Sequence, residues 1–265
     1  MKAAFRLYMK LISASIRARM QYKFDFIASS LIQAVMGAYD FLLVAAILWK
    51  FKAVSGWNIY EVGVLFSVSR VAYGIYRVFC NELDMFEPYI VRGDFDSILI
   101  RPWPTLYTLL SRNFDLSRVA WIIQGGAVGA ISVPHLVKTG VLSHSDLIHL
   151  GASVVWSALL YIAVSLATAS AAFWIVRIEE LSILTVNASS TATLYPLDIY
   201  PSWLKRIFLS VIPLGVGNYI PAVYLLDKGG TWMNLVWPAI AAPVSVYLAM
   251  KIWHLGEARY HSTGS

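Results

Sequence analysis

Apolar tracts of about 20 residues recur along the chain, bounded by short polar or charged segments, and this spacing constrains the fold more than any other feature. A helix needs about 20 mostly apolar residues to cross the ~30 Å hydrocarbon core of a bilayer. Lipid offers no partners to backbone groups, so such tracts must be helices. Composition agrees. Of 265 residues, 58% are hydrophobic and 14% charged, against roughly 25% charged in soluble domains. In water such a surface would expose aggregating patches. The 10 Trp, 15 Tyr and 12 Phe suit the lipid–water interface and exclude intrinsic disorder. The expected class is all-α, a polytopic membrane protein held in a lipid bilayer.

The formal charge of +6 does not indicate nucleic acid, because the basic residues lie at the chain ends and between apolar tracts. Cys80 is the only cysteine; it can form no internal disulfide and has no ligand partners at metal spacing, so no metal site is expected. The start of the chain is basic but lacks a short apolar core and small-residue cleavage site, and no cleaved signal is expected.

Residues 1–23 alternate basic and apolar positions at helical spacing, with Lys2, Arg6, Lys10, Arg17 and Arg19 against Phe5, Leu11, Ile12 and Ile16. This predicts an amphipathic helix lying on the cytoplasmic membrane face. Spans are expected at about 26–49, 60–79, 120–136, 146–176 and 232–253. The 146–176 tract exceeds what the bilayer needs, which implies tilt or protrusion. Residues 81–118 form the most charged internal stretch, punctuated by Gly93, Pro102 and Pro104, and read as a cytoplasmic segment with short helices.

Two tracts compete for the remaining span. Residues 181–195 are short and polar, carrying Thr185, Asn187, Ser190 and Thr193, as a helix facing protein or water would. Residues 207–226 are more apolar, but Pro213, Gly215, Gly217 and Pro221 oppose a continuous lipid-exposed helix and favour a re-entrant pair. With both termini cytoplasmic, the first choice leaves 14 Lys and Arg inside against 6 outside, and the second 16 against 4. Charge alone leaves the choice open.

No Gly-x-x-x-x-Gly-Lys-Ser/Thr loop, His-Glu-x-x-His or Gly-x-Ser-x-Gly motif occurs. The chain therefore cannot cradle nucleotide phosphates in the P-loop manner, and an intramembrane hydrolase is disfavoured. By itself it is not expected to be an enzyme. Asp40 and Arg70 are the main intramembrane charges, and their cost in lipid makes them functional candidates. Their depths differ by about 10 Å at ~1.5 Å per residue, which opposes direct pairing. Arg70, Tyr73 and Arg77 share a helix face, either lining a polar path or docking the hairpin on the cytoplasmic segment. Tyr39, Asp40, Arg70, Tyr73 and Tyr76 are the candidates for a substrate path.

The segment from Asn81 to Pro104 mixes apolar anchors with both signs of charge, as a docking surface does. Met85 and Phe86 are its candidate anchors, with Glu82, Asp84, Arg92 and Asp94 setting register. The alternative is a connector folded onto its own membrane domain.

The run Arg92-Gly93-Asp94-Phe95-Asp96-Ser97-Ile98-Leu99-Ile100-Arg101-Pro102 resembles the permease subunits of type-2 ATP-binding-cassette exporters, in the subgroup with a Gly-Asp-(Leu/Phe)-Asp…Arg-Pro loop. So do the stretch from Tyr195 to Leu204, Ile212-Pro213, the stretch from Asn218 to Ala222 and the closing stretch from Arg259 to Gly264. The likeness covers nearly the whole chain, and the joint order of these motifs is its most specific feature.

The resemblance implies one permease domain over 1–265. It would have six spans, the interfacial helix 1–23, a cytoplasmic coupling segment 81–118 and an extracellular re-entrant cap 197–230. The choice of fifth span then falls on 181–195. It further implies ATPase coupling through Glu82, Leu83, Met85, Phe86, Arg92, Gly93, Asp94, Asp96 and Arg101, and a cap shaped by Pro196, Pro201, Trp203, Pro213, Asn218 and Pro221. Two ATPase subunits would dock below and a second permease, identical or different, beside it, in a bacterial cytoplasmic membrane. No cofactor is expected on this chain; ATP and magnesium belong to the partners. The cargo expected is amphipathic, such as a drug, peptide, lipid or glycan-like molecule. A carrier driven by an ion gradient and a non-transporting assembly subunit remain the other two classes.

Overall fold

The computed structural model describes residues 55–112 and 115–260, with a few helical positions between Phe24 and Leu42. The interfacial helix expected over 1–23, Asp40 and most of the span expected over 26–49 lie outside the described residues. Those described are helical apart from turns and contain no β-strand.

Helix α1, Ile59–Cys80, begins at a capping box. The Asn58 side chain accepts from the amides of Tyr60 and Glu61, and the Glu61 carboxylate accepts from the Asn58 amide at 2.8 Å. This reciprocal pairing satisfies amides that the first helical turn otherwise leaves bare. The helix ends in a 3-10 turn, Asn81–Leu83. Three short helices follow: α2 Glu87–Val91, α3 Asp96–Leu99 and α4 Thr105–Leu110. Gly93, at φ +74°, makes the reversal between α2 and α3, a backbone conformation only glycine adopts without strain.

Helix α5, Val119–Lys138, returns antiparallel to α1. The two approach closely because glycines and serines interlock. A Cβ on Gly63 would lie 2.1 Å from the Ser132 hydroxyl, and one on Gly129 would lie 2.4 Å from that of Ser67. Small residues allow such contact where lipid supplies no hydrophobic drive between helices.

Helix α6, Asp146–Ile175, has 30 residues, about 45 Å at ~1.5 Å per residue, and so outruns the hydrocarbon core as expected. It stops at Val176, a β-branched residue at φ +61°, where strain favours a break. Helix α7, Glu179–Ser182, a π-helical segment Ile183–Ala188 and α8 Ser189–Ala192 then run on without interruption. Helices α9, Ser202–Ser210, and α10, Leu214–Leu225, are bent by 108° at the residues preceding Leu214. Helix α11, Met233–Glu257, closes the fold.

Among the described residues, four helices are long and apolar enough to cross a membrane: the α1 region, the α5 region, α6 and α11. The bent α9–α10 pair would make a fifth if it counted as one span. The helical stretch over 179–192 is about 21 Å long at ~1.5 Å per residue, short of a ~30 Å core.

Helix α1 is central, with 72% of its apolar window buried against 17% for α11. Helix α6 packs against α1, α10 and α11. Its approach to α10 is tightest at Gly217, where an added Cβ would stand 2.7 Å from the Ser157 Cα. Backbone cannot yield as a side chain does, so Gly217→Ala is expected to cost about 1–3 kcal/mol. A fall in the midpoint of thermal unfolding in detergent checks this, and an unchanged midpoint would contradict the packing.

Candidate coupling and pathway sites

The end of α1 leading into residues 81–110 carries a buried polar cluster. The chain runs on from Cys80 through the 3-10 turn and places Asp84 about two turns beyond Tyr76 and Arg77. Asp84 forms an ion pair with Arg77, and its Oδ1 accepts from the Tyr76 hydroxyl and, at 2.9 Å, from Ser165 on α6. Tyr76 also reaches Ser165 Oγ at 2.6 Å. One carboxylate therefore ties the exit turn to α1 and α6.

Polar contacts continue along the same side of α1. The Tyr73 hydroxyl donates to Asn187 at 3.0 Å, and Ser69, Tyr161 and Thr193 form a triangle at 3.1–3.3 Å. Thr168 meets Thr185 at 2.9 Å. Thr185, Asn187 and Thr193 thus face protein and latch the π-containing helix to α1 and α6, whereas Thr191 is exposed. Tyr73 stacks on Trp121 at 5.0 Å, and the Arg70 guanidinium lies over Phe66 and Trp121.

These contacts decide how the pathway candidates are placed. Arg70, Tyr73 and Tyr76 are buried and engaged inside the helix packing, and they do not line the groove described below. Tyr39 is exposed and Asp40 is outside the described residues. Of the two readings of the Arg70, Tyr73, Arg77 face, the contacts match the structural one, with Arg77 docking on Asp84.

Residues 81–110, expected to couple to an ATPase, have both buried and exposed side chains. Leu83, Phe86, Ile90, Phe95 and Ile98 join a single core with α6 and α11. Phe86, wholly buried, sits 5.4 Å from Phe95, 5.3 Å from Phe173 and 4.9 Å from Trp253, ring to ring. Glu87 accepts from the amides of Ile178 and Glu179 at 2.6 and 2.8 Å, capping α7 from a distant part of the chain. Glu82 is buried and accepts from Tyr89 at 2.7 Å; burial, together with that carboxylate, pushes the Tyr89 phenol up to about 12.

Docking by the Phe86 side chain, expected from sequence, is therefore ruled out by its burial, as is direct contact through Leu83 or Glu82. Met85, Arg92, Asp94, Ile100 and Arg101 are exposed, Gly93 and Asp96 half-buried. Ile100 is 85% exposed.

At the opposite end of α1 lies a network the sequence did not announce. Asp198 accepts from Trp57 Nε1 at 2.9 Å, Lys205 at 2.7 Å and Tyr219 at 2.7 Å. Burial raises the Asp198 pKa, but these hydrogen bonds outweigh it and hold the carboxyl below its ordinary value. Lys228 pairs with buried Glu61 at 2.9 Å. Among the cap candidates, Pro201 and Pro213 immediately precede α9 and α10, Pro221 lies inside α10 and Trp203 is exposed. Pro196 immediately precedes the 3-10 turn Leu197–Ile199. Buried Asn218 donates to the Thr193 carbonyl at 2.7 Å. The bent α9–α10 pair is thereby fastened to both α1 and the short π-containing helix.

Among the described residues, no group of three or more His, Cys, Asp or Glu is placed to hold a metal ion. Long apolar helices with buried polar latches at both ends define a multi-pass membrane protein. A family-wide comparison makes this specific: the model described as "ABC-2 family transporter protein" matches residues 34–264, and the chain belongs to that family. It is thus a membrane permease component of an ABC transporter, a family that works with ABC ATPase subunits. A search of curated proteins finds no match.

Proposed function

We propose that the chain is the permease of an ATP-driven exporter, of the subgroup marked by the Gly93-Asp94-Phe95-Asp96 loop. Paired with a second permease, it forms the pathway for an amphipathic cargo. In this reading it has six spans, with residues 26–49 the first and the short helix over 179–192 the fifth, and α9 and α10 form an extracellular cap. The single supporting observation is the mixed burial of the coupling segment. Its exposed residues include apolar Met85, Val91 and Ile100 together with charged Arg92, Asp94 and Arg101, the mixture of groups that partners dock on. Its buried residues are fixed to α1, α6 and α11, so motion of a docked ATPase would be carried into the spans as a rigid push between two states. ATP and magnesium would be held by the ATPase.

Reconstitution with the candidate ATPase tests the reading: cargo flux requires both subunits and ATP, and purified permease alone hydrolyses none. Ile100→Glu places a charge at a position that is 85% exposed. It is expected to weaken ATPase association about tenfold or more, measured by co-purification or direct binding, with unfolding unchanged. Undiminished association would remove Ile100 from the interface.

A further inference from the structure

An open-sided groove of about 460 Å³ lies between α6, α7 with its π-helical extension, the α9–α10 bend and α11. This is within the ~300–1,000 Å³ range of small-ligand sites. It occupies the half of α6 nearer the coupling segment, since Ala171 on its wall is two residues from Phe173, which packs on Phe86. The space exists because α6 shows Ala163, Ala167 and Ala171 at successive turns, while Leu248 and Ile252 of α11 form the apolar wall opposite. Irregular backbone at membrane depth is stable only where protein buries it or a cavity meets it, and the α9–α10 bend, Val211 to Pro213, lines this groove.

The polar side of the groove has a definite sense. The Thr185 hydroxyl donates to the Leu181 carbonyl at 2.8 Å, so in its 2.9 Å contact with Thr168 it accepts and Thr168 donates. Ser210 donates to the Arg206 carbonyl at 2.7 Å. Each hydroxyl carries one proton, and those of Thr168, Thr185 and Ser210 are committed, which leaves these three as acceptors, while Ser245 on α11 is a fourth hydroxyl on the wall and can donate. Among the described residues no Asp, Glu, Lys or Arg lines it. A buried ligand charge would therefore be uncompensated and costly.

From this we infer that the groove binds an uncharged amphipath whose head donates a hydrogen bond, such as a long-chain alcohol, to the Thr168 and Thr185 oxygens, with its apolar body along the alanine face. The site is separate from the exposed side chains of residues 81–110, and its test needs no ATPase.

The purified full chain in nanodiscs is photolabelled with a diazirine-bearing long-chain alcohol. Label is expected in peptides spanning 163–171 and 245–252. Unlabelled alcohol should compete, its methyl ether about fivefold less well because the donor is gone, and its phosphate monoester not at all. Ala167→Phe, which fills the groove, should cut labelling about tenfold with unfolding unchanged. Should that variant fail to fold, Thr185→Val carries the test and should erase the preference for alcohol over ether. Labelling spread evenly along α11, equal competition by ether or phosphate, retained labelling in folded Ala167→Phe, or retained preference in Thr185→Val would each overturn the assignment.

Discussion

Asp84→Ala is expected to destabilise the protein by about 3–5 kcal/mol, the usual cost of leaving one member of a buried ion pair without its partner. Arg77 would keep its charge in a largely buried place, facing the Tyr73 ring and no carboxylate. Ser165 and Tyr76 would lose their shared acceptor as well. The effect is separable from a simple loss of packing. Replacing both partners with apolar residues of similar volume, Arg77→Met with Asp84→Leu, removes the stranded charge, and such exchanges are often close to neutral. Thermal or denaturant unfolding in detergent should show the double variant recovering most of what Asp84→Leu alone loses. If the single and double variants unfold alike, the pair does not hold the exit turn of α1 as described.

That ion pair also shows what the sequence could and could not reveal. Helices α1, α5, α6 and α11 were legible because each is a long apolar run, and lipid forces such runs into helices whatever their neighbours. The start of α1 was legible in principle from Asn58 and Glu61, spaced as a capping box before an apolar run, although Glu61 also pairs with Lys228 across the fold. The polarity of 181–195 indicated a helix facing protein or water, and Thr185, Asn187 and Thr193 found their partners in protein.

Asp84 was misjudged as a rim charge. Its burial depends on α6 packing beside it at Ser165, a neighbour too distant in sequence for a periodic pattern to record. Phe86 was misjudged for a related reason. In a segment of short helices, apolar residues that anchor a connector to its own domain look the same as those that anchor a partner. Only Phe173 and Trp253, distant in sequence, distinguish the two. The Asp198 network had no local signature either, since Trp57, Lys205 and Tyr219 converge on it from three separate elements.

Phe86→Ala should therefore act on transmission and not on docking, and its expected effect is of the same size as that of Asp84→Ala. Emptying a fully buried phenylalanine position typically costs about 3–5 kcal/mol, transfer and cavity together. Here the lost ring is the one on which Phe95, Phe173 and Trp253 converge. The α1–α5 and α6–α10 contacts do not pass through it, so the loss should appear as local opening of the coupling segment before global unfolding. At about tenfold per 1.4 kcal/mol, the opened population should rise by two orders of magnitude or more. Trypsin reports this directly, because Arg92, followed by Gly93, is exposed within the segment. Cleavage there should accelerate strongly in Phe86→Ala and stay at the wild-type rate in Ile100→Glu. The two variants should then separate in the reconstituted transporter. Ile100→Glu loses the ATPase, whereas Phe86→Ala retains part of the binding yet hydrolyses ATP without moving cargo, because the push reaches a segment no longer fixed to α6 and α11. Wild-type proteolysis of Phe86→Ala together with lost ATPase binding would instead place that ring at the partner interface, which its burial excludes.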